Sequence, residues 1–201
     1  MAAEALALEP KKCVLILNDM INRLFKGQGP PYSTPPHRQE MLENVIKLVD
    51  HSRAVGIPII WITTHYRKDM ADGPKQMSDV FQGLQNLLIA GVPDTDFIDE
   101  LPPAPEDFIL VKQRWSAFWA TNLDCILRAL GTETLILAGV GTHRTIEGTA
   151  RDAKNRDIPS VVVSDSCTAA EVEASDMTLK YILPILVHVR TTDEVISYLH
   201  N

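Results

Sequence analysis

Thr134-Leu-Ile-Leu-Ala-Gly-Val-Gly-Thr-His-Arg-Thr-Ile-Glu-Gly-Thr-Ala-Arg-Asp-Ala153 carries the clearest structural pattern in the chain. Leu135 to Ala138 is a short continuous apolar run, as expected of a strand buried on both faces of a parallel sheet. The run breaks at Gly139-Val140-Gly141. Beyond the break, Ile146, Ala150 and Ala153 fall at helical spacing, while Glu147, Arg151 and Asp152 are free to face water. The order is therefore strand, tight turn, helix. Thr142 stands where an N-cap is wanted, and the unpaired N–H groups of the first helical turn point back over the carboxyl end of the strand. In an open α/β sheet that is where ligands bind and where backbone donors meet negative charge.

Working outward, residues 13–18, Cys-Val-Leu-Ile-Leu-Asn, form a second buried-strand run that leads straight into Asp19. An acid there lies either in the ligand crevice or in a turn that opens the next loop. Residues 23–38, rich in Gly and Pro, read as an ordered loop. A helix follows, with Met41, Leu42, Val45, Ile46, Leu48 and Val49 on its buried side and Gly56-Ile57-Pro58 ending it. Ile59–Thr63 is the next strand, and His65 lies just past its end; a metal role for His65 lacks a second His or carboxylate at close spacing. From Tyr66 to Pro105 the pattern loosens, as in a lid or a partner surface.

Phe108–Val111 is a further strand and delivers Lys112 to the same carboxyl edge. A cation at the end of an apolar strand is costly without an acid, and Asp19, read as ending an adjacent strand, is its natural partner. Gln113-Arg-Trp-Ser-Ala-Phe-Trp119 then supplies three aromatic rings beside that pair. Leu123, Ile126, Leu127 and Leu130 make an amphipathic helix that stops at Gly131. Ser160–Ser164 is a fifth strand, with a helical segment beginning over Asp165–Glu173. Ile185–Val189 is a sixth strand, and Thr191-Thr-Asp-Glu194 has the form of a capping box for a last helix. Strands that are apolar throughout and alternate with helices mean a parallel sheet covered on both faces.

A chain of 201 residues, 45% hydrophobic and 22% charged, is long enough for one well-covered core and short for two, so a single domain over 1–201 is expected, flexible over 1–11. A formal charge of −7 and a pI near 5.3, with no run of Lys or Arg, argue against a nucleic-acid or anionic-membrane surface. No apolar segment reaches the length of a membrane span, and the first ten residues carry acids where a signal peptide needs basic residues, which points to the cytoplasm. Cys13, Cys125 and Cys167 are an odd number in scattered contexts, suggesting neither a disulfide framework nor a metal site. Met70, Met77, Phe81, Leu87, Leu88 and Ile89 lack an amphipathic pattern, so a homo-oligomer is expected, joined through part of 66–105 or the helix after Asp165.

Taken together, Leu17-Asn-Asp19-Met20, Val111-Lys112-Gln-Arg-Trp-Ser-Ala-Phe118 and Ala138–Ala153 resemble the isochorismatase-like hydrolase superfamily, over nearly the whole chain and in the expected order. The resemblance implies an α/β, Rossmann-like fold of three layers, α/β/α, with a six-stranded, mostly parallel sheet. It also implies the catalytic Asp, Lys and Cys of amide and ureido hydrolases such as nicotinamidases and N-carbamoyl hydrolases. No cofactor or metal is expected. A non-proline cis peptide would join Val140 and Gly141, and the N–H groups of Gly141 and Thr145 would form an oxyanion hole. Carried over by position, Asp19 matches the general base, Lys112 its paired cation and Thr145 the nucleophile.

Thr145 departs from the cysteine of that pattern. A threonine hydroxyl is far less acidic than a thiol and its branched Cβ restricts approach. Cys167, after the fifth strand, reads as a buried small hydrophobe. The superfamily's isochorismatases, which cleave a vinyl ether without a cysteine there, are only partly echoed by Gly139-Val-Gly-Thr-His143. The site is thus read as acid/base chemistry by Asp19 and Lys112 on a small planar substrate, with Phe25, His65, Trp115, Phe118, His143 and Arg144 as candidate lining residues and Arg144 as a partner for a substrate carboxylate. A binding protein without turnover and an engineered replacement of cysteine by Thr145 are the alternatives.

Overall fold

The computed structural model describes residues 6–27, 33–75, 77, 79 and 88–199. Six strands form one parallel sheet: β1 Cys13–Asn18, β2 Ile59–Thr64, β3 Phe108–Lys112, β4 Thr134–Val140, β5 Ser160–Thr168 and β6 His188–Arg190, in the order β3-β2-β1-β4-β5-β6. Because β1 leads outward to β2 on one side and lies against β4 on the other, the strand order reverses between β1 and β4. That reversal opens a crevice at their carboxyl ends. β1 and β2 are buried along their whole length, as their unbroken apolar sequences require.

The sheet is covered on both faces, giving the expected α/β/α layers. On one face Leu15, Leu17, Trp61 and Ile136 pack with Met41, Leu42, Val45, Leu48 and Val49 of α2 (Arg38–Ala54) and with Val195 of α7 (Thr192–Tyr198). On the other, Val14, Ile16, Ile60, Ile62, Leu135 and Leu137 pack with Leu123 and Leu127 of α3 (Leu123–Ala129) and with Ala150 and Ala153 of α4 (Glu147–Lys154). Thr191 forms the expected capping box with Glu194 at the start of α7.

Four local expectations change. Residues 23–38 are not all loop, since Asn22–Lys26 form a short helix, α1. β5 runs four residues beyond Ser164, to Thr168, and the next helix, α5, begins only at Val172 and ends at Met177. The Asp165 carboxylate is turned to α7, where it accepts from the backbone N–H and the hydroxyl of Thr192, both at 2.8 Å, instead of starting a helix of its own. Ile185 and Leu186 belong to α6 (Leu183–Leu186), opened by Pro184 where a missing N–H is harmless, so β6 is confined to His188–Arg190. The N-terminal segment is held from Leu8 onward: Leu8 is buried in the first core and Pro10–Lys12 make a 3-10 turn. Phe81 and Leu87, part of the expected oligomer surface, lie outside the described residues.

Gly139 explains how β4 can lie so close to β1. Its φ is +122°, and a Cβ there would stand 2.1 Å from the carbonyl oxygen of Asn18. We expect Gly139→Ala to lower stability by at least about 2 kcal/mol, against about 1–2 kcal/mol for Gly56→Ala, whose φ is also positive but whose Cβ meets nothing within 4 Å. Denaturant unfolding of the two variants tests this, and equal losses would count against the close approach.

Candidate active site

Asp19 follows β1 with a left-handed φ of +54°, its backbone N–H donating to the carbonyl of Ile62 at 2.8 Å. The carboxylate is 1% exposed and so is Lys112. Lys112 Nζ donates to Asp19 Oδ2 at 2.6 Å, which makes the expected ion pair. The two residues do not end adjacent strands, however, because β2 lies between β1 and β3. Thr64, the last residue of β2 and the register partner of Lys112, fills the gap: its hydroxyl donates to Asp19 Oδ1 at 2.8 Å and accepts from Lys112 Nζ. The fourth member is Thr145, whose hydroxyl donates to Asp19 Oδ2 at 3.0 Å. One carboxylate thus receives an ammonium and two hydroxyls.

Thr145 reaches Asp19 because the chain turns sharply after β4. Gly141 has φ +95°, and Thr142–Ile146 form a π-helical turn in which the N–H groups of Arg144, Thr145 and Ile146 converge on the Gly141 carbonyl at 3.1, 2.8 and 3.2 Å. Such wide turns are rare and cluster at functional sites. A Cβ on Gly141 would stand 3.1 Å from Thr145 Oγ1, so the glycine leaves the hydroxyl its room. Thr142 does not cap the helix with its side chain; Gly141 takes the cap position. The turn also bears on the expected oxyanion hole. The N–H of Gly141 donates to the Thr168 carbonyl at 2.8 Å, extending the β4–β5 pairing, and the N–H of Thr145 is bound to Gly141, so both donors are engaged.

The network floors a cleft of about 60 Å³. Trp115, His143 and Arg144 line it as expected, together with Tyr66, Arg114 and Glu171, which the sequence reading passed over. Phe25 and Phe118 do not: the first is buried in the core under α2, and the second packs in the opposite core beneath the Arg156 guanidinium, 4.3 Å from its ring. His65 is half-buried beside the cleft and is not among its lining residues, whereas its neighbours Thr64 and Tyr66 are. Strand alternation is the signal that separates them, since Ile60, Ile62 and Thr64 share one face of β2. Arg144 is not free to receive a substrate, because its Nη2 donates to Glu171 Oε1 at 2.5 Å. Among the described residues no group of three or more His, Cys, Asp or Glu could hold a metal ion.

The thiols stand apart from this chemistry. Burial pushes the Cys13 thiol up to about 11, at the start of β1, and burial raises that of Cys167 further still. Neither has the electropositive, partly exposed setting of a reactive cysteine.

The isochorismatase domain family matches residues 13–194. The chain belongs to the isochorismatase family of hydrolases. Within the family it is 32% identical to a ureidoacrylate amidohydrolase, RutB, of Methylorubrum extorquens, over 81% of this chain and 72% of that one. Among solved structures it is similar to a cysteine hydrolase from Pseudomonas syringae pv. phaseolicola, with a TM-score of 0.87, 25% identity and 98% of both chains covered. The N-carbamoylsarcosine amidase of Thermoplasma acidophilum matches with a TM-score of 0.70 and 25% identity, over 90% of this chain and 97% of that one. No helix among the described residues is long and apolar enough to cross a membrane.

His143 gives the site a pH dependence. Burial, and then the Arg144 guanidinium beside it, hold it below the ordinary 6.5, outweighing the upward pull of Glu171 and Glu147. Its 3.7 Å contact with Glu171 is therefore made by a neutral ring at pH 7. His65 is lowered too, burial outweighing Asp72. Between 6.5 and these lower folded values the unfolded chain binds more protons, so stability rises with pH across that window and is lost as pH falls through it. Calorimetry from about pH 7 to about pH 5 should show the melting midpoint falling, with a shallower fall in a His65→Gln/His143→Gln double variant. An unchanged slope in that variant would assign the loss to other groups.

Proposed function

We propose that the protein hydrolyses the C–N bond of a small amide or ureido compound, with the Thr145 hydroxyl as nucleophile and Asp19 as its base. The observation that carries this reading is the 3.0 Å hydrogen bond from Thr145 Oγ1 to a buried carboxylate at the floor of the cleft. A hydroxyl needs such a base to act as a nucleophile at all. As Thr145 Oγ1 bonds to the substrate carbonyl carbon, its proton passes to Asp19. When the C–N bond breaks, Asp19 returns that proton to the leaving nitrogen. Water then attacks the acyl or carbamoyl ester on Thr145, giving its proton to Asp19, which passes it back to Thr145 Oγ1. Lys112 has three N–H bonds, of which two are used on Asp19 and Thr64, so one remains for the developing oxyanion. The similar amidohydrolase and amidase support an amide or ureido bond over a vinyl ether.

A second reading, a binding protein without turnover, is favoured by the two engaged turn donors and by the poor acidity of threonine. The variants separate the two. On a panel of small amides and ureido acids, Asp19→Asn and Thr145→Ala should each lower kcat/KM by a factor on the order of 10² or more, and Thr145→Cys should raise amidase activity. If Thr145→Ala keeps most of the activity, the covalent step is lost and a water activated by Asp19 replaces it. If neither the wild type nor Thr145→Cys turns over any of the panel, the binding reading takes the lead.

We also infer a homo-oligomer. Val172, Met177, Tyr181 and Ile185, which run through α5 to α6, are exposed apolar residues, Ile185 to 76%. Together they offer an apolar surface of the kind that self-association covers. Light scattering should give a multiple of the 22.3 kDa chain mass at micromolar concentration, and a monomer there would contradict it.

A further inference from the structure

The charges that line the cleft do not cancel. Asp19 is matched by Lys112. Glu171 is matched by Arg144 and touched by His143, which is neutral at pH 7. Arg114 remains. Among the described residues it has no carboxylate partner, and its two hydrogen bonds both leave from Nη1, to the backbone carbonyls of Asp72 at 3.0 Å and Gln113 at 2.6 Å. Asp72 meets Arg114 through its backbone carbonyl, while its carboxylate oxygen Oδ1 accepts from the backbone N–H of Arg67 at 2.9 Å. The two bonds use both hydrogens of Nη1. The Nε–Nη2 edge is left whole, a two-pronged donor of the shape that grips a carboxylate.

Arg114 is also held in place. Its guanidinium stacks over the Trp119 ring, 5.1 Å from the centroid, and the two carbonyls fix its rotation. A cation held this way is pre-organised, so little side-chain freedom is lost when an anion binds. Its position joins two spaces. With Tyr66 and Trp115 it lines both the narrow cleft above Asp19 and a larger neighbouring cavity of about 640 Å³. Burial raises the Tyr66 phenol most, and it stands within the fields of both groups, with Asp19 raising it further and Arg114 lowering it.

We propose that Arg114 is the substrate's anion receptor, so that the substrate is a short acid whose carboxylate sits at the junction of the two cavities while its amide or ureido carbon reaches Thr145. The assignment rests on the hydrolase reading above for the identity of the reacting bond, but not for the binding of the acid. It replaces Arg144, which Glu171 already holds. The flat face of Trp115, 56% exposed beside Arg114, suits the planar part of such a molecule.

The test uses 3-ureidopropionate and its methyl ester, which differ only in the charge that Arg114 would read. Calorimetric titration of the wild-type protein should give at least tenfold tighter binding of the acid. Arg114→Gln should remove that preference, weakening the acid on the order of 10-fold to 10²-fold and leaving the ester unchanged. Arg114→Lys, which keeps the charge and loses the fork, should fall between the two, and it stands in if the glutamine variant fails to fold. Where turnover is measurable, the loss should appear in KM with kcat nearly unchanged. Equal binding of acid and ester by the wild type, equal weakening of both by the variants, or failure of the wild type to bind either would overturn the assignment. A binding preference without turnover of the probe would still support Arg114 in its role, because the reacting bond is tested separately on the panel of amides and ureido acids.

Discussion

The buried pair of Asp19 and Lys112 is the constraint that the rest of the site answers to. Taking two charges out of water costs several kcal/mol each, and their attraction offsets this only when further hydrogen bonds complete the geometry. Here two hydroxyls supply them. Thr64 and Thr145 donate to the two oxygens of Asp19, and Thr64 in turn accepts from Lys112. The sheet order makes Thr64 necessary, because β2 separates the strands that carry the acid and the lysine. Such a pair adds little to stability compared with apolar residues of the same volume. Its place at the floor of the cleft suits the fixed base that the proposed hydrolysis needs.

The two glycines beside Val140 serve the same end by different means. Gly139 lets β4 lie against the backbone of Asn18, which brings the end of β4 next to the acid that follows β1. Gly141, also at positive φ, turns the chain so that three N–H groups close on one carbonyl and the Thr145 hydroxyl is aimed at Asp19. This geometry uses up donors that an oxyanion would want. In the proposed mechanism Lys112 is the donor that remains for the oxyanion, and it couples the electrostatics of the site to the ion pair.

The sequence carried the frame well because the frame depends on local patterns. Unbroken apolar runs marked the central strands, and their carboxyl ends marked Asp19, Lys112 and the turn. What escaped depends on neighbours distant in the chain. Strand order set Thr64 between Asp19 and Lys112, and a side chain 27 residues away decided that Arg144 is occupied. Asp165 and Ser166 look like a helix start, yet they serve the beginning of α7 from within β5. Aromatic density beside Lys112 suggested one wall, whereas Trp115 faces the cleft, Phe118 the core and Trp119 the stack on Arg114. No one-dimensional pattern distinguishes those three fates.

If Thr145, held on a buried acid, is the nucleophile as proposed, an oxygen ester stands in the middle of the reaction. The most direct measurement is the partitioning of the acyl group between water and added hydroxylamine, with two substrates that share an acyl group and differ in the amine they release. A common ester on Thr145 forgets which amine has left, so the account predicts the same ratio of hydroxamate to acid from both. A ratio that changes with the leaving amine would mean that water attacks the substrate directly and would contradict it.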